Sequence, residues 1–265
     1  MTPTIPRTSE PVKLDRTGAV ALIRLNEPAS LNALSPTMKA GLSAAITQVI
    51  GDDAVRAIVL TGEGRAFCAG GDLRAMDERT GVAMRRRMQA THDWVLRLLT
   101  CEKPILTAVN GVAAGAGFSL ALFGDIVCAA DDARFKAGFP GVGAVPDLAL
   151  AYVLPRAVGV LRAKDILLTN EDISAVEAHR MGFVCRLYRG SELLEHTLEL
   201  AARLASGPSV SFGLTKRLVA RAHDMSLEAF LEAEAFAQAT AFGSADFAEG
   251  VSAFLARRPA VFRGS

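Results

Sequence analysis

The sequence has no closely spaced cysteine pair. Its four cysteines, Cys68, Cys101, Cys128 and Cys185, lie far apart and form no CxxC. That argues against a disulfide scaffold or a zinc site and fits a reducing, cytoplasmic interior. No metal-ligand spacing is visible, so no metal is expected. An excess of one charge sign is also missing: 29 Lys and Arg stand against 28 Asp and Glu, a formal net charge of +1. Binding to nucleic acid needs a concentrated basic face. The one dense basic run, "MRRRMQ" (Met84–Gln89), reads as a solvated helix face. No apolar run reaches the roughly 18 residues of a membrane span. Neither nucleic acid nor membrane is therefore expected as a partner. The start, "MTPTIPRTSEPV", lacks the apolar segment of a signal peptide. It reads as a disordered lead-in over residues 1–11.

What is present is apolar and long. With 265 residues, 51% of them hydrophobic, the chain can build one large core, with or without an appendage. "VKLDRTGAVALIRLN" (Val12–Asn26) is two apolar runs around Thr17-Gly18, a hairpin signal. Ser35 and Pro36 open a helical pattern as N-cap and first-turn residue. "RAIVLTG", "KPILTAVNG" and "DIVCAA" read as strands. Helices are expected from about Gly81 to Thr100 and over "AGAGFSLALFG". This alternation predicts an α/β core over residues 12–190. Beyond Gly190 the pattern is almost purely helical, with Gly207-Pro208 as a stop and start. Two of these late segments, "PSVSFGLTKRLVARAHDM" and "SADFAEGVSAFLARRP", are amphipathic. They must pack either on their own domain or across a subunit boundary.

Two strand-to-helix turns share a design. "GRAFCAGGDLRAM" follows "RAIVLTG", and "VAAGAGFSL" follows "ILTAVNG". Both supply small residues whose backbone a ligand can approach closely. Both set main-chain N–H groups near a helix N-terminus, where negative charge is favoured. Two such groups converging on one point would make an oxyanion hole. Small residues in these places also serve tight packing alone.

The order "AFCAGGDL" then "NGVAAGAGFSL" resembles the two signature loops of the enoyl-CoA hydratase/isomerase (crotonase) superfamily. "LNEPASLNALS", "LPRAVGVLRAKDILLTNEDISAVEAHRMGFV" and "EGVSAFLARRPAVFRGS" resemble other parts of that family, so the likeness runs from about Val12 to the end. It implies a ββα-superhelix of repeated β-β-α units with a helical trimerisation region over residues 191–265. It also implies a homotrimer, or a hexamer built as a dimer of trimers. The implied substrate is an acyl-CoA thioester. Coenzyme A then arrives with the substrate, and no separate cofactor is expected. The implied oxyanion donors are the N–H groups of Ala69 and Ala116, although the family usually has glycine at the second position. Implied ligand contacts are Ala66, Gly70, Gly71, Asp72 and Leu73 in the first loop and Ala29 and Leu31 ahead of it. Ala29 stands where the family often has a lysine. Phe139, Gly143 and Pro146 are the candidates beside the acyl chain, and Gly141 and Gly143 would let the backbone pass close to it. Asp72 also reads as a helix cap.

The acid–base residues decide the reaction. The hydratases of the family flank a water with two glutamates, whose positions fall here on Ser119 and Phe139. Adding water needs a base for the water and an acid for the α-carbon, so hydration is disfavoured. One carboxylate stands in the right region: Asp147 in "GVGAVPDLALAYVLP". It could simply cap the following helix. Isomerase branches of the family, however, carry an acid here, and "VPD" resembles the branch that isomerises 1,2-epoxyphenylacetyl-CoA. Burial beside Phe139 and Leu148 would raise its pKa. The leading expectation is an isomerase that shifts a double bond or opens a ring with Asp147 as base. The alternatives are an enoyl-CoA hydratase, an aryl-acyl-CoA dehalogenase-like enzyme using Asp147 with His92, and an inactive CoA-binding subunit. His92 in "MQATHDWVLRLL" is the candidate second acid–base group. Cys68 has no paired base and reads as a small buried thiol.

Overall fold

The chain opens with β1 (Val12–Thr17) and β2 (Val20–Leu25), an antiparallel hairpin in which Thr17 faces Val20 across the Thr17-Gly18 turn. A 3-10 turn at Pro28–Ser30 leads to α1 (Pro36–Gly51). The Ser35 hydroxyl accepts the Met38 N–H at 3.1 Å, and Pro36 occupies the first turn, as the sequence predicts. Met38, Leu42, Ile46 and Val49 recur at helical spacing and are all buried. The computed structural model describes residues 10–75 and 80–265. Residues 1–9 of the expected lead-in, and Met76 at the end of the first signature loop, lie outside the described residues.

Then comes the repeat. β3 (Ala57–Gly62) and β4 (Ala66–Cys68) precede α2 (Gly81–Leu99); β5 (Ile105–Val109) and β6 (Val112–Ala114) precede α3 (Ala116–Ala121). β7 (Ile126–Ala130) and β8 (Arg134–Lys136) precede α4 (Leu150–Val158) and α5 (Val160–Thr169). Each pair gives one strand to a six-stranded sheet, ordered β1-β2-β3-β5-β7 with β10 (Arg186–Tyr188) at its edge. The other strand goes to a smaller sheet, ordered β4-β6-β8 and closed by β9 (Ile173–Ser174). This is the crotonase-like β-β-α superhelix. β3 and β5 are buried at every position, which is why they read as unbroken apolar runs rather than alternating ones.

Asparagines fasten the corners between the sheets. Asn32, fully buried, donates to the carbonyls of Ala66 (2.8 Å) and Glu63 (3.0 Å) and accepts the Glu27 N–H. Asn110 donates to the Gly64 carbonyl at 2.8 Å and accepts the Gly62 N–H at 3.1 Å. Corner backbone groups leave the sheet ladders, so side-chain amides satisfy them instead.

After α6 (Ala175–Met181), helix α7 (Leu193–Ala205) lays Leu193, Leu200, Ala201 and Ala205 into the main core. The core therefore runs one helix past the boundary expected at residue 190. The switch to a helical pattern marks a change of secondary structure, not the edge of the buried apolar surface. The last helices differ. α8 (Ser209–Arg221) buries only Gly213, α9 (Leu227–Phe242) buries nothing, and α10 (Ala245–Leu255) buries Asp246 and Ala253. Leu231, Phe236, Phe242, Phe254 and Leu255 remain exposed. No helix among the described residues is long and apolar enough to cross a membrane.

Candidate active site

Parallel pairing of β4 with β6 sets Cys68 opposite Ala113, so the turns leaving both strands emerge side by side at their C-terminal ends. That is where α/β sheets usually hold ligands. The approach is very close. A Cβ on Gly117 would collide with the Cys68 carbonyl, and one on Gly70 (φ +98°) would lie 2.7 Å from the Ala114 carbonyl and 3.4 Å from the Ala116 nitrogen. Glycine is required at both places because backbone packs directly on backbone.

Accounting for the N–H groups in these turns locates the free donors. Ala69 donates to the Leu31 carbonyl at 2.9 Å. Its N–H is committed to the fold, which corrects the expectation that Ala69 is an oxyanion donor. The Gly70 N–H lies beside the Cys68 thiol and counters part of the effect of burial on it. The next N–H, on Gly71, has no acceptor among the described residues, and neither has that of Ala116, the first residue of α3. Gly70 touches Ala116, so these two open donors stand on adjoining backbone. The first signature loop is also bound to the start of α1, where the Leu34 N–H donates to the Gly70 carbonyl at 2.7 Å and Leu34 bridges Gly71.

Asp147 is tied to α3 through the Ser119 hydroxyl. It follows a 3-10 turn at Pro140–Val142, closed by Val142 and Ala144 N–H groups donating to the Phe139 carbonyl. The next two residues, Leu148 (φ +46°) and Ala149 (φ +59°), are both left-handed, a costly arrangement for residues with a Cβ. The bend is held by the Asp147 carbonyl, which accepts the Ser119 hydroxyl at 2.9 Å and the Leu150 N–H at 3.1 Å. The position of the first hydratase glutamate thus holds a serine that anchors the main chain of Asp147. Phe139, at the second glutamate position, is buried. The Asp147 carboxylate does not cap α4. That helix starts from Ala149 without a side-chain cap, and Asp147 Oδ1 is buried with no hydrogen-bond partner among the described residues. An unpartnered buried carboxylate oxygen costs stability and points to a function. Burial pushes the Asp147 pKa up, while Lys39 on α1, its own main-chain N–H and His92 on α2 act the other way.

The remaining expected residues spread over several roles. His92 is exposed on α2. Cys68 is fully buried and burial pushes its thiol up to about 12, so it is no nucleophile. Ala66 is 1% exposed and its carbonyl is bonded to Asn32, which corrects its expected place among the ligand contacts: its side chain belongs to the core. Gly70 is likewise buried between the loops. Asp72 Oδ1 accepts the Arg74 N–H at 3.1 Å and caps the 3-10 turn at Leu73–Ala75. Ala29, Leu73 and Gly143 are exposed, and Leu31, Gly71 and Pro146 are half-buried. Trp94 and the tilted group Phe118, Phe135 and Phe183, with ring centroids 5.2–5.4 Å apart, are buried in the core. One open donor was missed in the sequence, the Gly71 N–H. It leaves no local signal, because what frees it and occupies Ala69 instead is Leu31, far along the chain.

This geometry has known counterparts. The family model described as enoyl-CoA hydratase/isomerase matches residues 15–265. The chain is an enzyme of the enoyl-CoA hydratase/isomerase family, within the crotonase superfamily. A 1,2-epoxyphenylacetyl-CoA isomerase from Escherichia coli is 40% identical over 249 residues, covering 92% of this chain and 95% of the relative. A probable enoyl-CoA hydratase from Rhodobacter capsulatus is 39% identical, covering 96% and 98%. Among solved structures, an enoyl-CoA hydratase subunit from Geobacillus kaustophilus superposes with a TM-score of 0.92 at 36% identity, covering 97% of this chain and 100% of that one.

Proposed function

We propose that this enzyme is an enoyl-CoA isomerase with Asp147 as its general base. The observation that carries the reading is the half-buried Asp147, whose carboxylate Oδ1 is buried without a hydrogen-bond partner among the described residues and caps no helix. On a 3-enoyl-CoA, Asp147 takes a proton from C2. The electron pair moves through the carbonyl carbon to the thioester oxygen, giving a dienolate. The open N–H groups of Gly71 and Ala116 hold that oxyanion, a role in which fixed backbone donors are most effective. The carbonyl reforms, the double bond moves to C2–C3, and the Asp147 carboxyl returns the proton to C4. One carboxyl group accounts for both transfers, and its raised pKa brings it closer to the working pH of a proton carrier.

Ser119 and Phe139 in place of two acidic side chains oppose hydration. Trp94 and Phe118 are buried in the core and are not offered to an aryl group, which weighs against dehalogenation. The name of the Rhodobacter relative favours hydration, so the test offers both substrates. Crotonyl-CoA and a 3-enoyl-CoA are incubated separately with the enzyme; the 3-enoyl ester is converted and crotonyl-CoA is not hydrated. Rapid hydration of crotonyl-CoA with an inert 3-enoyl ester refutes the reading. The exposed apolar side chains of α9 and α10 support a homotrimer or hexamer; sedimentation as a monomer would contradict it.

A further inference from the structure

All six residues of α3 are buried. Ala116, the first, carries an open N–H. Gly117 lies directly on the Cys68 carbonyl, which seats the helix on the first signature loop. Phe118 is locked against Phe135 and Phe183. Ser119 is fully buried, and its hydroxyl donates to the Asp147 carbonyl at 2.9 Å. A serine inside a helix commonly turns its hydroxyl back to the carbonyl four residues earlier. That carbonyl, on Gly115, is 3.5 Å away, so the single hydroxyl hydrogen goes to Asp147 instead.

The acceptor stands at the head of a strained turn. Leu148 (φ +46°) and Ala149 (φ +59°) are its two central residues, and the Leu150 N–H closes it on the same Asp147 carbonyl. Glycine or asparagine normally fills such places. Two residues with a Cβ hold this conformation only where their surroundings impose it. Leu148 and Leu150 are pinned in the core, Pro146 stiffens the entry, and the Ser119 hydroxyl grips the carbonyl.

We infer that Ser119 is a positioning residue: through α3 it mounts the Ala116 N–H and the Asp147 carboxylate on one rigid unit, and so fixes which carbon of the dienolate receives the proton. Ala116 and Ser119 are three residues apart and share a face of the helix. Helical side chains lean toward the N-terminus, which carries the hydroxyl toward the end where Ala116 lies. The thioester oxygen and the proton carrier are thereby referred to the same six residues. The dienolate has two basic carbons. When the Asp147 carboxyl protonates C2, its O–H bond breaks, a C–H bond forms and the substrate returns. When it protonates C4, the same exchange of bonds gives the product. Position decides between them.

The inference rests on the isomerase reading, so the experiment separates the two. A 3-enoyl-CoA is followed by proton NMR in deuterium oxide with the wild type, Ser119→Ala, Ser119→Cys and Asp147→Asn, and thermal unfolding is recorded for each. The readout is the amount of C2 deuterium in unreacted substrate per isomerisation event. In Ser119→Ala the turn is released, and kcat falls on the order of tenfold. KM stays within about threefold, because no ligand contact is removed. A wandering carboxyl returns more protons to C2, so the ratio rises at least about threefold. Ser119→Cys, close in size but a weaker donor, shifts it the same way by less. A misfolded fraction lowers kcat but leaves the ratio unchanged, because only folded enzyme contributes events. A wild-type ratio in Ser119→Ala, or in Ser119→Cys should the alanine variant not fold, overturns the inference whatever happens to kcat. If Asp147→Asn is inactive while that ratio stays in place, only the inference about Ser119 fails. If Asp147→Asn turns over normally, the isomerase reading fails and takes the inference with it.

Discussion

In the proposed mechanism the main chain carries the chemistry in the loop from Cys68 to Gly71, where the side chains are small. In the turn from Phe139 to Leu150 the proposed chemistry belongs to one side chain, and the main chain beside it is bent. The first region is fixed from several directions: Leu31 accepts from Ala69, Gly70 accepts from Leu34, and Gly70 lies against Ala114 and Ala116. The second is held mainly by the Ser119 hydroxyl and by two successive left-handed residues. Backbone donors need rigidity and tolerate many side chains of the right size. A side-chain base needs a particular chemical group and a pocket that leaves it unsatisfied. In the proposed mechanism the oxyanion loop is compatible with several reactions, and the turn before α4 selects among them.

The comparison can be broken most severely at Gly70. A Gly70→Ala variant sets a Cβ 2.7 Å from the Ala114 carbonyl at φ +98° and forces the two loops apart. Destabilisation of about 1–3 kcal/mol is expected. Turnover of a 3-enoyl-CoA should fall about 100-fold, because small displacements of a preorganised site are costly. Thermal unfolding and steady-state kinetics check both values.

The turn before α4 should show the opposite trade. Burial raises the Asp147 pKa in the folded protein, so folding favours the protonated form. The stability this contributes is fully present below the unfolded carboxylate pKa and is lost as pH rises through the folded value. Asp147→Asn escapes that loss. Its unfolding free energy should exceed that of the wild type by about 1 kcal/mol at neutral pH, less whatever attraction to Lys39 is forfeited. The gain should shrink as pH falls into the carboxylate range. Denaturant unfolding at several pH values measures it, and a gain that grows on acidification would contradict the assignment. The smallest effect belongs to Ala116→Gly. Only the N–H of this residue is assigned a role, so kcat/KM should stay within about threefold of the wild type.

The fold was legible because its signals are local. Ser35 and Pro36 mark the start of α1, Thr17-Gly18 marks the hairpin, and the apolar runs of β3 and β5 mark strands buried on both faces. Asp147 was singled out through the resemblance, because isomerase branches of the family carry an acid there; taken alone it read as a helix cap. What stayed hidden depends on distant partners. Ala69 and Gly71 look equally fit as donors until Leu31, itself left-handed, is seen to occupy the first of them. Ala66 looks like part of a ligand loop until Asn32 is seen to hold its carbonyl in the core.

The central claim is that one carboxylate carries a proton between two carbons of a thioester. Its most direct measurement follows a 3-enoyl-CoA by proton NMR in deuterium oxide, with wild type and Asp147→Asn compared at equal, saturating enzyme. The wild type should move the double bond to C2–C3 and exchange C2 protons. Asp147→Asn should bind the ester with a Kd close to that of the wild type and lose isomerisation and exchange together by at least about 100-fold. Isomerisation and exchange at wild-type rates in Asp147→Asn would contradict the account.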